Sequence, residues 1–435
     1  MRVGTAYRDI TPDRPLALQG QMQIRIAKYT RDPLTVNAIV FEQGGSRVAL
    51  ISTDVCVLPN HLAEEIKRAV SDASGIPVGD VIPAATHTHV GPCTTTRLFG
   101  DIDPAWRDHL IKSTADAVKS AVDDLEDVEL FAGAGWLEHM GWNRRGLRSD
   151  GACHMYYGSW RPDFVGIEGP RDGQVGVLAA RRPDGSVKAI VSSFSTHPNT
   201  LEGESFYCAD IPGEVRRVVR AALGDENIGV VYLTGASGNT APSIMENNPN
   251  NVQPWRGELG LKRSGAYLGG EILRVIAAAV EPMSDPILHH ESRTLEIPIR
   301  EWDEATSLDE YSGGMREFYD HSKADWDRLR SEESPYPVAV HALRVGDAAI
   351  CTNPAELYCE FGLEIKKRSP AKVTLISELA DGWAGYVATP QAIRHGGYSA
   401  QASNVARLVP DAGWQIVYAT EEMLRTAYAN GKGKG

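Results

Sequence analysis

Short runs of consecutive apolar, often β-branched residues alternate along the chain with stretches where apolar residues recur every three or four positions. "NAIVFE" (Asn37–Glu42) and "RVALIST" (Arg47–Thr53) flank "QGGS", a glycine-containing connection of the kind that closes a β-hairpin. Further strand-like runs follow: "DVIPA", "VELFAGAG", "VGVLAAR", "AIVSSFS", "IGVVYLTG", "RTLEIPI", "HALRVGDAAICT" and "AKVTLIS". Between them, "HLAEEIKRAVSDA" places Leu62, Ile66 and Val70 on one helical stripe. "PAWRDHLIKSTADAVKSAVDDLE" carries Pro104 near its first turn, where proline is tolerated. "PGEVRRVVRAAL", "SGAYLGGEILRVIAAAV", "PAELYCEFGLEIKKR" and "TEEMLRTAYA" also read as helices. This order predicts an α/β fold of mixed β-sheets sandwiched by helices. It is expected to form one domain over residues 1–430. The charged segment Trp302–Pro337 reads as surface helices, an insertion suited to a lid or to a contact in a homo-oligomer. The tail 431–435 ("KGKG" and its neighbour) is expected to be flexible. No internal repeat is visible in the sequence.

Composition narrows the function classes. The 435 residues are 42% hydrophobic and 23% charged, as in ordinary globular enzymes. A net charge of -13 argues against nucleic acid or an anionic membrane surface as partner. No run approaches the ~18 apolar residues of a membrane span. The N-terminus "MRVGTAYRDITP" lacks a charged region followed by an apolar one, so a cytoplasmic location is expected. The six cysteines (Cys56, Cys93, Cys153, Cys208, Cys351, Cys359) form no C-x-x-C pair, and buried reduced thiols are the expectation. Dinucleotide, P-loop and H-E-x-x-H motifs are absent. "TGASGNTAP" holds Ser237, but Asn239 stands where a nucleophile elbow needs its second glycine.

The chemistry-bearing residues sit where strands end. "AATHTHVGP" places His87 and His89 two residues apart, on one side of an extended segment, before a Gly-Pro turn. One imidazole of such a pair can hold a metal while the other handles protons; two hydrogen-bonded structural histidines would look the same. "AIVSSFSTHPNT" repeats the grammar with His197. In "CTNPAELYCEF", Glu356 is expected at a helix start, where the N-terminal dipole favours a carboxylate. The Gly- and aromatic-rich "DGWAGYVATPQAIRHGGY" carries Tyr386 and Tyr398. Asp54 is read as an imidazole-orienting partner or a turn residue. Asp210 is read as a helix cap.

In this order, "VGTAYRDITP", "DPLTVNAIVFEQGGSRVALISTD", "ATHTHVGP", "GWNRR", "QVGVLAARRPDGSVKAIVSSFSTHPNT", "GASGNTAP" and "GWAGYVATP" resemble the catalytic domain of the neutral/alkaline, non-lysosomal ceramidases and their bacterial relatives. The resemblance spans nearly the whole chain. It implies one Zn2+ held by His87, His197, Glu356 and Tyr386. It implies His89 near the scissile bond, Arg144 as a substrate-binding residue, with Arg145 beside it, and Tyr398 against the reacting carbonyl. The activity implied is hydrolysis of an N-acyl amide bond by metal-activated water.

The departures bear on substrate. Where these enzymes have a serine in "GN-x-S-P", the chain has Ala241, with Thr240 and Ser243 nearby but out of register. "GPGG" becomes "GPCTTT" and "PGE" becomes "PAE", and the immunoglobulin-like domain of these enzymes is not expected here. A small-molecule amide other than ceramide is therefore expected. Esters or lactones suit the same site, and a non-catalytic binding protein that retained the fold is the third reading.

Overall fold

Where the sequence shows apolar runs bounded by glycine, the chain folds into antiparallel hairpins, and each hairpin is extended by a parallel strand. The computed structural model describes residues 1–95, 100–303 and 311–429. Eight helices lie among the described residues: α1 (Asn60–Ser74), α2 (Pro104–Asp123), α3 (Asp210–Leu223), α4 (Gly257–Ala278), α5 (Gly314–Glu333), α6 (Cys359–Arg368), α7 (Pro390–His395) and α8 (Ala412–Ala429). Of the 302–337 segment, α5 is seen and 304–310 lie outside the described residues, as does the tail 431–435.

One unit occurs three times. It has three antiparallel strands in sequence order, a helix, and a fourth strand parallel to the third. In the first copy the strands are Arg2–Asp9, Thr35–Gln43, Ser46–Thr53 and, after α1, Val81–Ala85. In the second they are Glu129–Trp136, Gln174–Arg181, Val187–Phe194 and, after α3, Gly229–Thr234. In the third they are Leu288–Ile297, Tyr336–Val345, Ala348–Thr352 and, after α6, Val373–Ser377. Each sheet keeps the strand order 1-2-3-4, and the first gains a short edge strand, Glu126–Asp127. No repeat is visible in the sequence because topology constrains only the alternation of apolar positions, which many residue choices satisfy.

The three sheets face one another. Ile39, Phe41 and Leu50 of the first, Leu178, Val191 and Leu233 of the second, and Leu343, Ile350 and Leu375 of the third form one shared core. Their opposite faces are covered by helices. Ile211, Val215 and Val219 of α3 and Leu268 and Ile272 of α4 pack on the second sheet. The outer faces of the other two belong to a cluster that includes Leu62 and Ile66 of α1, Leu110 of α2 and Ile416 of α8. Burial on both faces explains why these strands read as continuous apolar runs. Polar ties join the sheets: Ser52 Oγ donates to Tyr232 O (2.6 Å), Glu378 N to Thr234 O (2.9 Å) and Ala85 N to Leu379 O (3.0 Å).

Two sequence readings change here. Asp54 touches no imidazole; it receives Arg216 Nη2 (2.5 Å), Thr35 N (2.8 Å) and Thr86 Oγ1 (3.3 Å) in a buried ion pair. Asp210 opens α3 with φ of 50°, and its carboxylate accepts from Leu201 N (2.9 Å) and Ile211 N (2.8 Å). It thus ties the segment after His197 to the helix. Asp54→Ala, which strands Arg216 without its counter-charge, should cost about 3–5 kcal/mol. Thermal unfolding checks this; an unchanged Tm would contradict the structural role.

Candidate metal centre

Each of the three sheets delivers side chains from the carboxyl ends of its parallel strand pair, the edge where α/β proteins place their sites. Val81–Ala85 runs out into Thr86 and His87, whose φ of 69° lies in the left-handed region and turns its ring inward. Val187–Phe194 runs out into His197. Ala348–Thr352 leads to Glu356, and the chain after Val373–Ser377 leads to Tyr386. Glu356 does not sit at a helix start, because α6 begins only at Cys359. It lies in a short strand, Ala355–Leu357, paired in parallel with Gly385–Val387, and its register partner is Tyr386. Backbone pairing, not the helix dipole, places this carboxylate beside the phenol.

The four side chains meet. Glu356 Oε2 stands 3.5 Å from His87 Nε2 and 3.5 Å from His197 Nε2. Tyr386 Oη is 3.4 Å from His197 Nε2. Two donors on a tetrahedral zinc, each at 2.0–2.1 Å, are about 3.4 Å apart, so these spacings fit one ion. The surroundings fit as well. His87 Nδ1 donates to Cys56 O (2.7 Å) and His197 Nδ1 to Ser237 O (2.8 Å), which leaves both Nε2 lone pairs facing inward. Trp383 Nε1 donates to Glu356 Oε1 (3.2 Å), turning the other oxygen to the centre. Cys56 lies on the Nδ1 side of His87, at 3.6 Å, and burial pushes its thiol well up, so it is the weaker candidate of the cluster.

Charge is scarce here. Burial holds the His87 imidazole down to about 4 and that of His197 well below its ordinary range. Both are neutral at neutral pH, the ligating form. Burial also raises the Glu356 carboxyl, which Trp383 and Tyr386 partly counter. The cation present is Arg144: Nη1 donates to Tyr156 Oη (2.7 Å), and Nη2 to His197 Nε2 (2.8 Å) and Gly238 O (3.0 Å).

A cavity of about 380 Å3 opens beside these groups, with Arg144, His89, Tyr386 and Tyr398 in its wall and Met22, Met155, Tyr311 and Met315 further out. The Tyr398 ring stands 5.6 Å from that of Tyr386, nearly perpendicular. His89 Nε2 lies 3.3 Å from His87 Nε2. His87, His89, Arg144, His197, Glu356, Tyr386 and Tyr398 therefore gather at one place. Arg145 does not join them: it is fully buried in an ion pair with Glu168 and binds Gly396 O (2.8 Å). Ala241 and Thr240 form a two-residue strand against Trp142 and Asn143, and Ser243 accepts from Arg256 (2.7 Å).

Sequence reasoning missed several residues. Trp383 sits inside the quoted "DGWAGYVATP", and tryptophan beside an expected ligand was the available signal. Glu202 and Tyr156 carried none. Ser237 is no nucleophile; its hydroxyl bonds the buried carboxyl of Glu378 behind His197.

Among the solved structures that match are two that cover 99% of the chain. One is a ceramidase complexed with C2, at 16% identity and TM-score 0.76 over 75% of that chain. The other is neutral ceramidase from Pseudomonas aeruginosa, at 16% identity and TM-score 0.77 over 74% of that chain. The chain has the ceramidase fold. No protein-family model matches it, and no curated protein does. No helix among the described residues is long and apolar enough to cross a membrane.

The ceramidase fold thus frames a centre whose integrity depends on neutral imidazoles. His87 and His89 both lie depressed to about 4 by burial. A depressed folded-state value stabilises the fold above the unfolded value of about 6.5, and this contribution is lost as pH falls towards 4. Thermal stability of the metal-free protein should therefore decline as pH falls from about 6.5 towards 4. A flat profile across that window would contradict the assignment.

Proposed function

We propose that the protein is a zinc-dependent hydrolase that cleaves an N-acyl amide bond in a compact substrate other than ceramide. The carrying observation is the quartet His87 Nε2, His197 Nε2, Glu356 Oε2 and Tyr386 Oη beside an open cavity, with Glu356 3.5 Å from each imidazole and Tyr386 3.4 Å from His197. Zinc bound there would polarise a carbonyl oxygen and make water acidic enough to attack near neutral pH. The protein's own groups do the rest. His89 accepts the proton of the attacking water and returns it to the nitrogen as the C–N bond breaks, so that an amine leaves and a carboxylate remains. Arg144, with Tyr398 across the cavity, donates to substrate oxygen, and Tyr156 holds the guanidinium in place. The limited volume supports a small substrate over a two-chain lipid.

The test is a matched panel of N-acyl amides, esters and lactones, assayed with and without chelator, with zinc measured on the same samples. The expected result is about one zinc per chain and amide cleavage that chelation abolishes and zinc restores. His197→Ala should lose metal and activity together. His89→Ala should keep the metal and lose about 10²–10⁴ in kcat. Full activity without metal, or loss of metal from His89→Ala alone, would overturn the assignment.

A further inference from the structure

We propose that Glu202 is a positioning residue that fixes which nitrogen of His89 carries its hydrogen; this rests on the metal reading above. His89 is buried, and among the described residues no hydrogen-bond partner reaches its Nδ1. The carboxylate that faces this nitrogen is Glu202 Oε2, at 3.5 Å. Such contacts are often long before substrate binds and tighten in the complex.

The tautomer follows from the opposite edge of the ring. His89 Nε2 faces His87 Nε2 at 3.3 Å. A carbonyl only accepts, so the contact of His87 Nδ1 with Cys56 O puts the hydrogen of His87 on Nδ1 and leaves Nε2 as a lone pair. With a cation on that lone pair, His89 finds no acceptor there. Its hydrogen then belongs on Nδ1, towards Glu202, and its Nε2 lone pair turns to the reaction centre.

Glu202 is itself braced. Oε2 accepts from Asn199 Nδ2 (2.9 Å), and Oε1 pairs with Arg256 Nη1 (2.8 Å). Arg256 in turn donates to Ser243 Oγ (2.7 Å) and lies over the Tyr156 ring at 5.4 Å. The His89 ring is held from its other face by Gly20, where an added Cβ would come within 2.5 Å of His89 Cγ. Arg25 Nη2 binds the His89 carbonyl at 2.6 Å. The ring has little freedom to turn, so the carboxylate decides the proton's side. Glu202 lies five residues after His197, so one loop supplies both an expected ligand and the orienting acid.

The experiment uses zinc-loaded full-length protein labelled with 15N at histidine, the His89 resonances being those missing from His89→Gln. In the wild type, Nδ1 should bear the hydrogen and Nε2 should not. Glu202→Leu, or Glu202→Ala where the leucine variant misfolds, should move His89 towards the other tautomer. Glu202→Gln, whose carbonyl still accepts, should restore it. On an amide substrate, kcat should fall about 10–100-fold in Glu202→Leu, with KM and zinc content unchanged, and recover in Glu202→Gln. A zinc-loaded wild type with the hydrogen on Nε2, or a tautomer indifferent to Glu202→Leu, overturns this role alone. A protein that takes up no zinc overturns it together with the proposed function.

Discussion

One buried carboxylate and two buried imidazoles share a point where three sheets converge, and that juxtaposition constrains the rest of the molecule. An uncompensated buried charge costs several kcal/mol even after relaxation. The chain nevertheless brings Glu356 Oε2 within 3.5 Å of two neutral rings whose outer nitrogens are tied to carbonyls. A cation in the middle would compensate such a charge. Arg144 supplies one positive charge at the edge, bound to the same His197 nitrogen. That nitrogen has one lone pair and cannot serve guanidinium and metal at once, which sets Arg144 at the boundary between centre and cavity.

The threefold repetition of the hairpin-helix-strand unit is what makes the convergence possible. Each copy ends its third and fourth strands at the same edge, and the three edges point at one another. The third strands lead to Asp54, His197 and Glu356, and the fourth to His87, Ser237 and Glu378. The copies have diverged into different tasks. The first spends its aspartate on Arg216, which locks α3 to the sheet. The third uses Glu378 to join Ser237 N (2.9 Å) to Leu357 N (3.0 Å), one residue from Glu356. Burial raises the Glu378 carboxyl, the Ser237 and Leu357 donors oppose that rise, and the side chain clamps one sheet to the next. Stability and site geometry therefore rest on the same few polar ties.

Much of this was legible in the chain itself. The glycine-containing connection at Gln43–Ser46 was readable as a hairpin and the stripe of Leu62, Ile66 and Val70 as α1, whereas "HALRVGDAAICT" read as one strand and is a second hairpin turning at Gly346. His87 and His197 could be found because a polar, ionisable group after an apolar strand is unusual. Glu356 was found for a reason the fold does not use: local reading saw Pro354 and a following helix, whereas pairing with Tyr386, thirty residues on, decides its place. Non-local pairing of that kind leaves no periodic trace. The same holds for Glu202 and Tyr156, whose value lies in what they face. Arg145 was read only as a secondary candidate beside Arg144, and adjacent residues in an extended segment point to opposite sides. One reaches the cavity and the other the core.

The most direct test is diffraction from crystals grown without chelator, with data collected on both sides of the zinc absorption edge. The account predicts a single anomalous peak within about 2.0–2.2 Å of His87 Nε2, His197 Nε2 and Glu356 Oε2, with the Tyr386 hydroxyl completing the set. A peak placed elsewhere, or imidazoles of His87 and His197 too far apart to share one ion, would contradict it.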